Sequence, residues 1–133
     1  MTDLGLLVLR LVLGVAFAAH GSQKLFGWFG GYGIAGTGGW MESVGIKPGK
    51  VMAALAGLAE FAGGLLFAAG LGTVMAAGLI TATMLVAIFK VHGPKGFWSQ
   101  NGGYEMNLLI IAGAVAVALT GPGAYSLAGW LTR

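Results

Sequence analysis

His20, Lys24 and Glu60 are the residues of this chain whose types and spacing suit proton transfer. A histidine and a lysine four positions apart lie on one face of a helix, a turn from each other. An imidazole gains or loses a proton near neutrality, and a carboxylate supplies the opposite charge. Glu60 sits in Ala59-Glu60-Phe61-Ala62-Gly63-Gly64, where glycines leave room for a neighbouring helix to bring a partner close. Lys90, His92, Trp98, Glu105 and Asn107 form a second group, gathered around the turn Gly93-Pro94 and the pair Gly102-Gly103. His20 and Glu60 are the candidate catalytic groups. Lys24, Lys90, His92, Trp98, Glu105 and Asn107 are the candidate substrate-binding groups.

The chain around these residues is not built for water. Of its 133 residues, 57% are hydrophobic and only 8% charged. A soluble domain carries roughly 25% charged residues, so this chain has too few to cover an aqueous surface. Residues 61–89 and 106–132 contain no Asp, Glu, Lys or Arg, and each run exceeds the ~20 residues that cross a bilayer core. The formal charge is +3 with no Lys/Arg run, which excludes a nucleic-acid partner. There is no cysteine, hence no disulfide, thiolate metal site or thiol relay. Ala16-Phe17-Ala18 has the form of a cleavage site, but Asp3 and Arg10 do not fit a signal peptide, so the first segment is expected to be retained.

Breakers divide the chain into four helices, at about 4–28, 50–69, 73–92 and 104–120. The expected fold is all-α: a single domain over 1–133, an integral membrane four-helix bundle lodged in the lipid bilayer as a multi-pass protein of the cell (inner) membrane. Small residues at four- and seven-residue spacing, such as Gly57/Gly64 and Ala53/Gly57, let helices approach closely in lipid and are compatible with a homo-oligomer. Residues 29–48 and 93–103 are Gly-rich, carry Tyr32, Trp40, Phe97 and Trp98, and fall on the same side of an antiparallel bundle. They read as two lids, the first with a two-turn interfacial helix over 37–44 capped by Thr37. A short tail from Tyr125 to Arg133 is expected to lie along the surface, with Trp130 in the aromatic belt.

Depth follows from a rise of 1.5 Å per residue: from the lid face, Lys24 lies roughly 6 Å down, His20 roughly 12 Å and Glu60 roughly 15 Å. Lys90, His92, Glu105 and Asn107 flank the second lid, so the ionisable groups of four helices share one half of the bundle, and Arg10 sits toward the other. Lys24, Lys90 and Arg10 also have the reach to snorkel to headgroups, and His92 and Glu105 suit helix ends. Glu60 is too deep and too short for that, so it pairs, with His20 at matching depth as the expected partner. Spacing supports neither a metal nor a haem.

Leu9-Arg10-Leu11 followed by His20-Gly21-x-x-Lys24-Leu25-Phe26-Gly27 resembles the first-helix signature of the DoxX family of membrane proteins. Ala59-Glu60-Phe61-Ala62-Gly63-Gly64 resembles its second-helix motif, and Gly93-Pro94-Lys95-Gly96-Phe97-Trp98 with Gly102-Gly103-Tyr104-Glu105-x-Asn107 its third-loop and fourth-helix motifs. Thr120-Gly121-Pro122-Gly123-x-Tyr125-Ser126-Leu127 resembles its closing motif. The resemblance implies a four-helix membrane protein belonging to a membrane oxidoreductase system, since the family takes its name from a relative of thiosulfate:quinone oxidoreductase subunits.

The expected function is therefore a component of a quinone-linked oxidoreductase, with a quinone-like or small amphipathic molecule under the lids. Phe17, Phe61, Phe89 and the lid aromatics would form an apolar slot, with His20 and Glu60 as proton donors and Lys24 and Lys90 holding negative charge. Electrons would come from a partner redox subunit or from the substrate. The alternatives are a non-catalytic binder or carrier and a structural partner of other membrane proteins. Lys24, Lys47, Lys50, Lys90 and Lys95 outnumber Arg10, Arg133 and the α-amino group, which places the lids in the cytoplasm and both termini outside.

Overall fold

The computed structural model describes residues 1–132; Arg133, counted above for orientation, lies outside the described residues. The described chain is helical throughout, in the order α1 (Thr2–Phe26), α2 (Gly33–Ser43), α3 (Gly49–Ala69), α4 (Thr73–Ala87), α5 (Glu105–Thr120) and α6 (Leu127–Leu131). α4 runs on through a π turn, Ile88–His92, into a 3-10 turn, Gly93–Lys95. The stretches Thr2–Phe26, Gly49–Ala69 and Thr73–Lys95 are long and apolar enough to cross a membrane, and α5, at 16 residues, is shorter. Exposed side chains such as Val8, Val12, Leu58, Leu65, Val74 and Leu119 give the bundle an oily exterior. This is an all-α, multi-pass membrane protein.

Glycine sets the helix ends. Gly27, at φ 75°, turns α1 off just before the expected Trp28, its N–H bonding to the Gln23 carbonyl. At the end of α3, Leu71 N–H reaches Leu66 O at 3.0 Å and Gly70 N–H reaches Phe67 O at 3.2 Å, a Schellman closure with Gly70 at φ 72°. α2 departs from expectation: it begins at Gly33, four residues early, and Thr37 lies buried inside it without a capping bond. Packing accounts for the extra turn. Met41, Ile46 and Ala53 form a small core with Ile34 against it, and Gly38 lies flat on the backbone of Gly49 and Lys50.

The most extensive contact joins α1 to α3, which run antiparallel. A Cβ added at Gly14 would stand 2.6 Å from both the Gly64 oxygen and the Ala68 nitrogen. One at Gly21 would stand 2.7 Å from the Gly57 oxygen and overlap the Phe61 backbone, and one at Gly64 would overlap Ala18. Lipid supplies no hydrophobic drive for helix association, so close backbone packing has to do it. Gly63 is less crowded, its added Cβ meeting Leu79 at 3.4 Å.

The half of the bundle away from the lids is solid. Phe67, Ala76, Ile80, Ala114 and Val117 are fully buried there, with Leu9, Leu13 and Leu66 packed against them. Arg10, 1% exposed, does not snorkel. Its guanidinium donates to Phe67 O (3.3 Å), Ala68 O (3.0 Å), Pro122 O (2.7 Å) and Tyr125 O (3.1 Å). Phe67 O is shared with Gly70 N–H, whereas Ala68 O at the end of α3 and Pro122 O and Tyr125 O in the turn after α5 are open carbonyls that lipid could not satisfy. Asp3 Oδ1 accepts from Ala124 N–H at 2.9 Å, and Ala128 N–H bonds to Gly70 O at 3.2 Å, so the tail is fastened at several points. Ser126 caps α6 by accepting from Gly129 N–H.

Two outcomes follow. Gly64→Ala should destabilise the protein in detergent by about 2 kcal/mol or more through overpacking, whereas Gly78→Ala, with open space at its Cβ, should stay within about 0.5 kcal/mol. Comparable thermal unfolding of the two variants would contradict the α1–α3 contact. Arg10→Met should cost about 3 kcal/mol by stranding buried carbonyls and should speed protease cleavage after Thr120, read by limited proteolysis.

Candidate functional site

In the lid half, the helices leave a cavity of about 480 Å³ between α1, α3, α4 and α5, roofed by α2. Its wall is largely apolar, with Phe17, Trp40, Leu55, Val86 and Ile110, and four methionines, Met41, Met52, Met84 and Met106, contribute to it. His20, Lys24, Glu60, Thr83, His92 and Asn107 supply the polar atoms.

An ion pair occupies the wall between α1 and α3. Lys24 Nζ stands 2.7 Å from Glu60 Oε2 and 2.9 Å from Oε1, so one ammonium serves both carboxylate oxygens. The Glu60 side chain is 4% exposed and that of Lys24 23%. The glycine contact makes this reach feasible: with no side chain at Gly57, the Cβ of Lys24 comes within 3.2 Å of where one would stand. The four-carbon stem of Lys24 then runs along α3 to the carboxylate. This corrects the expected His20–Glu60 pairing. His20 lies near the depth of Glu60, but α1 is turned so that Lys24 faces Gly57 on α3 while His20 is exposed, and the long lysine stem covers the remaining distance to the carboxylate.

The remaining candidates divide by location. His20 is exposed and lines the cavity without a hydrogen bond among the described residues. His92 lines it too, its Nδ1 2.7 Å from the Gly102 carbonyl of the second lid. Asn107 is 8% exposed, and its amide nitrogen meets only the weak acceptor Met84 Sδ at 3.4 Å. Glu105 instead faces the lid, where Oε1 accepts from Ser99 N–H at 3.1 Å. Trp98, 60% exposed, stacks edge-on with Phe97 at 5.1 Å, and Lys90 is exposed on the π turn; neither lines the cavity. Of the expected aromatic slot, Phe17 and Trp40 are present. Phe61 packs on Phe26 at 5.7 Å, and Phe89 is 75% exposed.

Sequence reasoning passed over Thr83 and the methionines. Thr83 is a polar residue in an apolar run and carried a signal, though its hydroxyl is spent on Leu79 O at 2.8 Å. A second space of about 260 Å³, lined by Gln23, Gly31, Tyr32 and Thr37, shares Lys24 and Trp40 with the first and lies toward the first lid. Among the described residues, no three His, Asp or Glu side chains come together as a metal centre.

The DoxX family model matches residues 5–93, which span α1 to the π turn and contain His20, Lys24, Glu60 and His92. The chain belongs to the DoxX family. It is 34% identical over 127 residues to the inner membrane protein YqjF of Escherichia coli K12, covering 96% of this chain and 92% of that protein. It is 30% identical over 119 residues to a Bacillus subtilis 168 protein named "Putative oxidoreductase CatD", covering 90% and 81% respectively. No solved structure matches it. Asn107, on α5, lies beyond the stretch that the DoxX model matches, so the cavity of this family member is closed by a helix outside it.

The ion pair yields a test by paired substitution. Lys24→Met alone should cost about 3 kcal/mol, because it strands a buried carboxylate. Lys24→Met with Glu60→Leu should recover most of that loss, measured by thermal unfolding in detergent. Additive losses would mean that the two groups do not act as a pair.

Proposed function

We propose that this DoxX protein is the membrane-embedded component of a quinone-linked oxidoreductase system and holds a quinone-like or small amphipathic molecule in its cavity. The observation that carries the reading is an apolar cavity of about 480 Å³ with an ammonium–carboxylate pair in its wall. That volume lies within the ~300–1,000 Å³ of small-molecule sites, which are mostly apolar with a few placed polar groups. The name of the Bacillus subtilis relative supports the same class of activity.

In this reading, Lys24 holds negative charge that develops on a ligand oxygen while remaining bonded to Glu60. The pairing gives each charge a partner within an apolar wall. Glu60 and His20 exchange protons with the ligand, and His92 and Asn107 bind it from the α4–α5 side. Lys90, Trp98 and Glu105 lie outside the cavity and shape the lid. Electrons arrive from a partner redox subunit or from a reduced substrate, because a chain without cysteine has no thiol relay of its own.

Protein purified with its native lipids should release a quinone or related amphipath on solvent extraction, identified by mass spectrometry. Glu60→Gln keeps the size of the side chain and removes its charge. It should fold, yet bind a decyl-substituted quinone at least about tenfold more weakly, since a charged hydrogen-bonding group is worth about 1.5–3 kcal/mol. Parent-like binding by Glu60→Gln would refute the role of the pair. Tight binding without any redox turnover in native membranes would leave a carrier instead of an oxidoreductase component.

A further inference from the structure

We infer that His92, in its neutral form, presents an unprotonated Nε2 to the cavity, and that the cavity is therefore selective for ligands bearing a hydroxyl hydrogen-bond donor, the phenol and hydroquinone class. This rests on the reading of the cavity as a small-molecule site and specifies the oxidation state it prefers.

Two features converge on His92. The first is its hydrogen bond. A backbone carbonyl can only accept, so the 2.7 Å contact between Nδ1 and Gly102 O requires the hydrogen to be on Nδ1. A neutral imidazole carries one ring hydrogen, which leaves Nε2 with a lone pair and no hydrogen. The second is the π turn over Ile88–His92, where Gly93 N–H bonds to Ile88 O. In a regular α-helix, His92 would lie about 140° around the axis from Ala87. Closing the ring over five residues brings it back toward the same side, and Ala87, Val91 and His92 all line the cavity. The distortion of α4 is thus what turns the imidazole inward, and the second lid is what sets its tautomer.

The partner that an unprotonated imidazole nitrogen seeks is a hydrogen-bond donor. The oxygens of a quinone only accept, and a hydroquinone donates. Asn107, whose amide finds only a weak sulfur acceptor in the protein, offers an adjustable partner on the neighbouring helix.

The chain has two histidines, so His20→Asn protein labelled with ¹⁵N-histidine reports on His92 alone. Across a pH series, the neutral ring should show Nδ1 in the protonated range and Nε2 in the unprotonated range. Separately, a decyl-substituted hydroquinone, its dimethyl ether and the matching quinone are titrated anaerobically against the unmodified protein. The hydroquinone should bind about five- to tenfold more tightly than the ether, the worth of one neutral hydrogen bond. His92→Asn keeps an amide N–H for Gly102 and has no atom at Nε2; it should bind hydroquinone and ether equally. An Nε2–H resonance from the neutral ring, or no preference for hydroquinone over ether in the unmodified protein, would overturn the inference and leave the cavity reading standing. Failure of all three probes to bind would overturn both. Should His92→Asn fail to fold, the resonance and the ether comparison decide the matter.

Discussion

Where α1 crosses α3, the two backbones touch, and no side chain larger than hydrogen fits at Gly14, Gly21 or Gly64. The rest of the molecule depends on that contact. In water, two helices with so little side chain between them would gain little by associating; in lipid, dispersion between close backbones is what is available. The same closeness brings Lys24 beside Gly57 and its ammonium onto Glu60. Packing and chemistry are therefore not separate here. A methyl group added to the seam would move the helices apart and lengthen the ion pair with them.

The ends of the bundle are treated differently. Away from the lids, Arg10 gathers carbonyls from α3 and the tail, and the core above it is filled by Phe67, Ile80 and Val117. Toward the lids the helices enclose space, and the polar groups there have spare hydrogen-bonding capacity. A cation with four backbone acceptors at one end marks scaffold, and the cavity at the other, with a weakly bonded Asn107 amide and an unbonded His20, is where the proposed ligand would sit. Both ends meet the membrane rule that charged groups find partners inside the protein, Arg10 with backbone carbonyls and Lys24 with Glu60.

Much of this was legible in residue types. Glycines and prolines marked the ends of the long helices to within about two residues, because positive φ and a missing N–H are local constraints. The depth of Glu60 and the one-sided gathering of charged residues followed from helical rise alone. Rotation about the helix axes was not legible. Whether His20 or Lys24 meets Glu60 depends on how far α3 is turned and on side-chain reach, and both follow from backbone contacts far apart in sequence. The π turn shifts the phase of everything after Ile88, which carries His92 inward and leaves Phe89 and Lys90 outside. The early start of α2 likewise answers to its packing on α3, which overrode the capping signal at Thr37.

Four of the chain's six methionines line the cavity. A thioether side chain is unbranched and polarisable, and it changes shape at little cost. Walls of this kind mould themselves to an occupant and do not exclude by outline. Under the proposed binding role, discrimination among ligands of similar greasiness would fall to a handful of fixed polar atoms, and two occupants of different girth would be accepted if they place their oxygens alike.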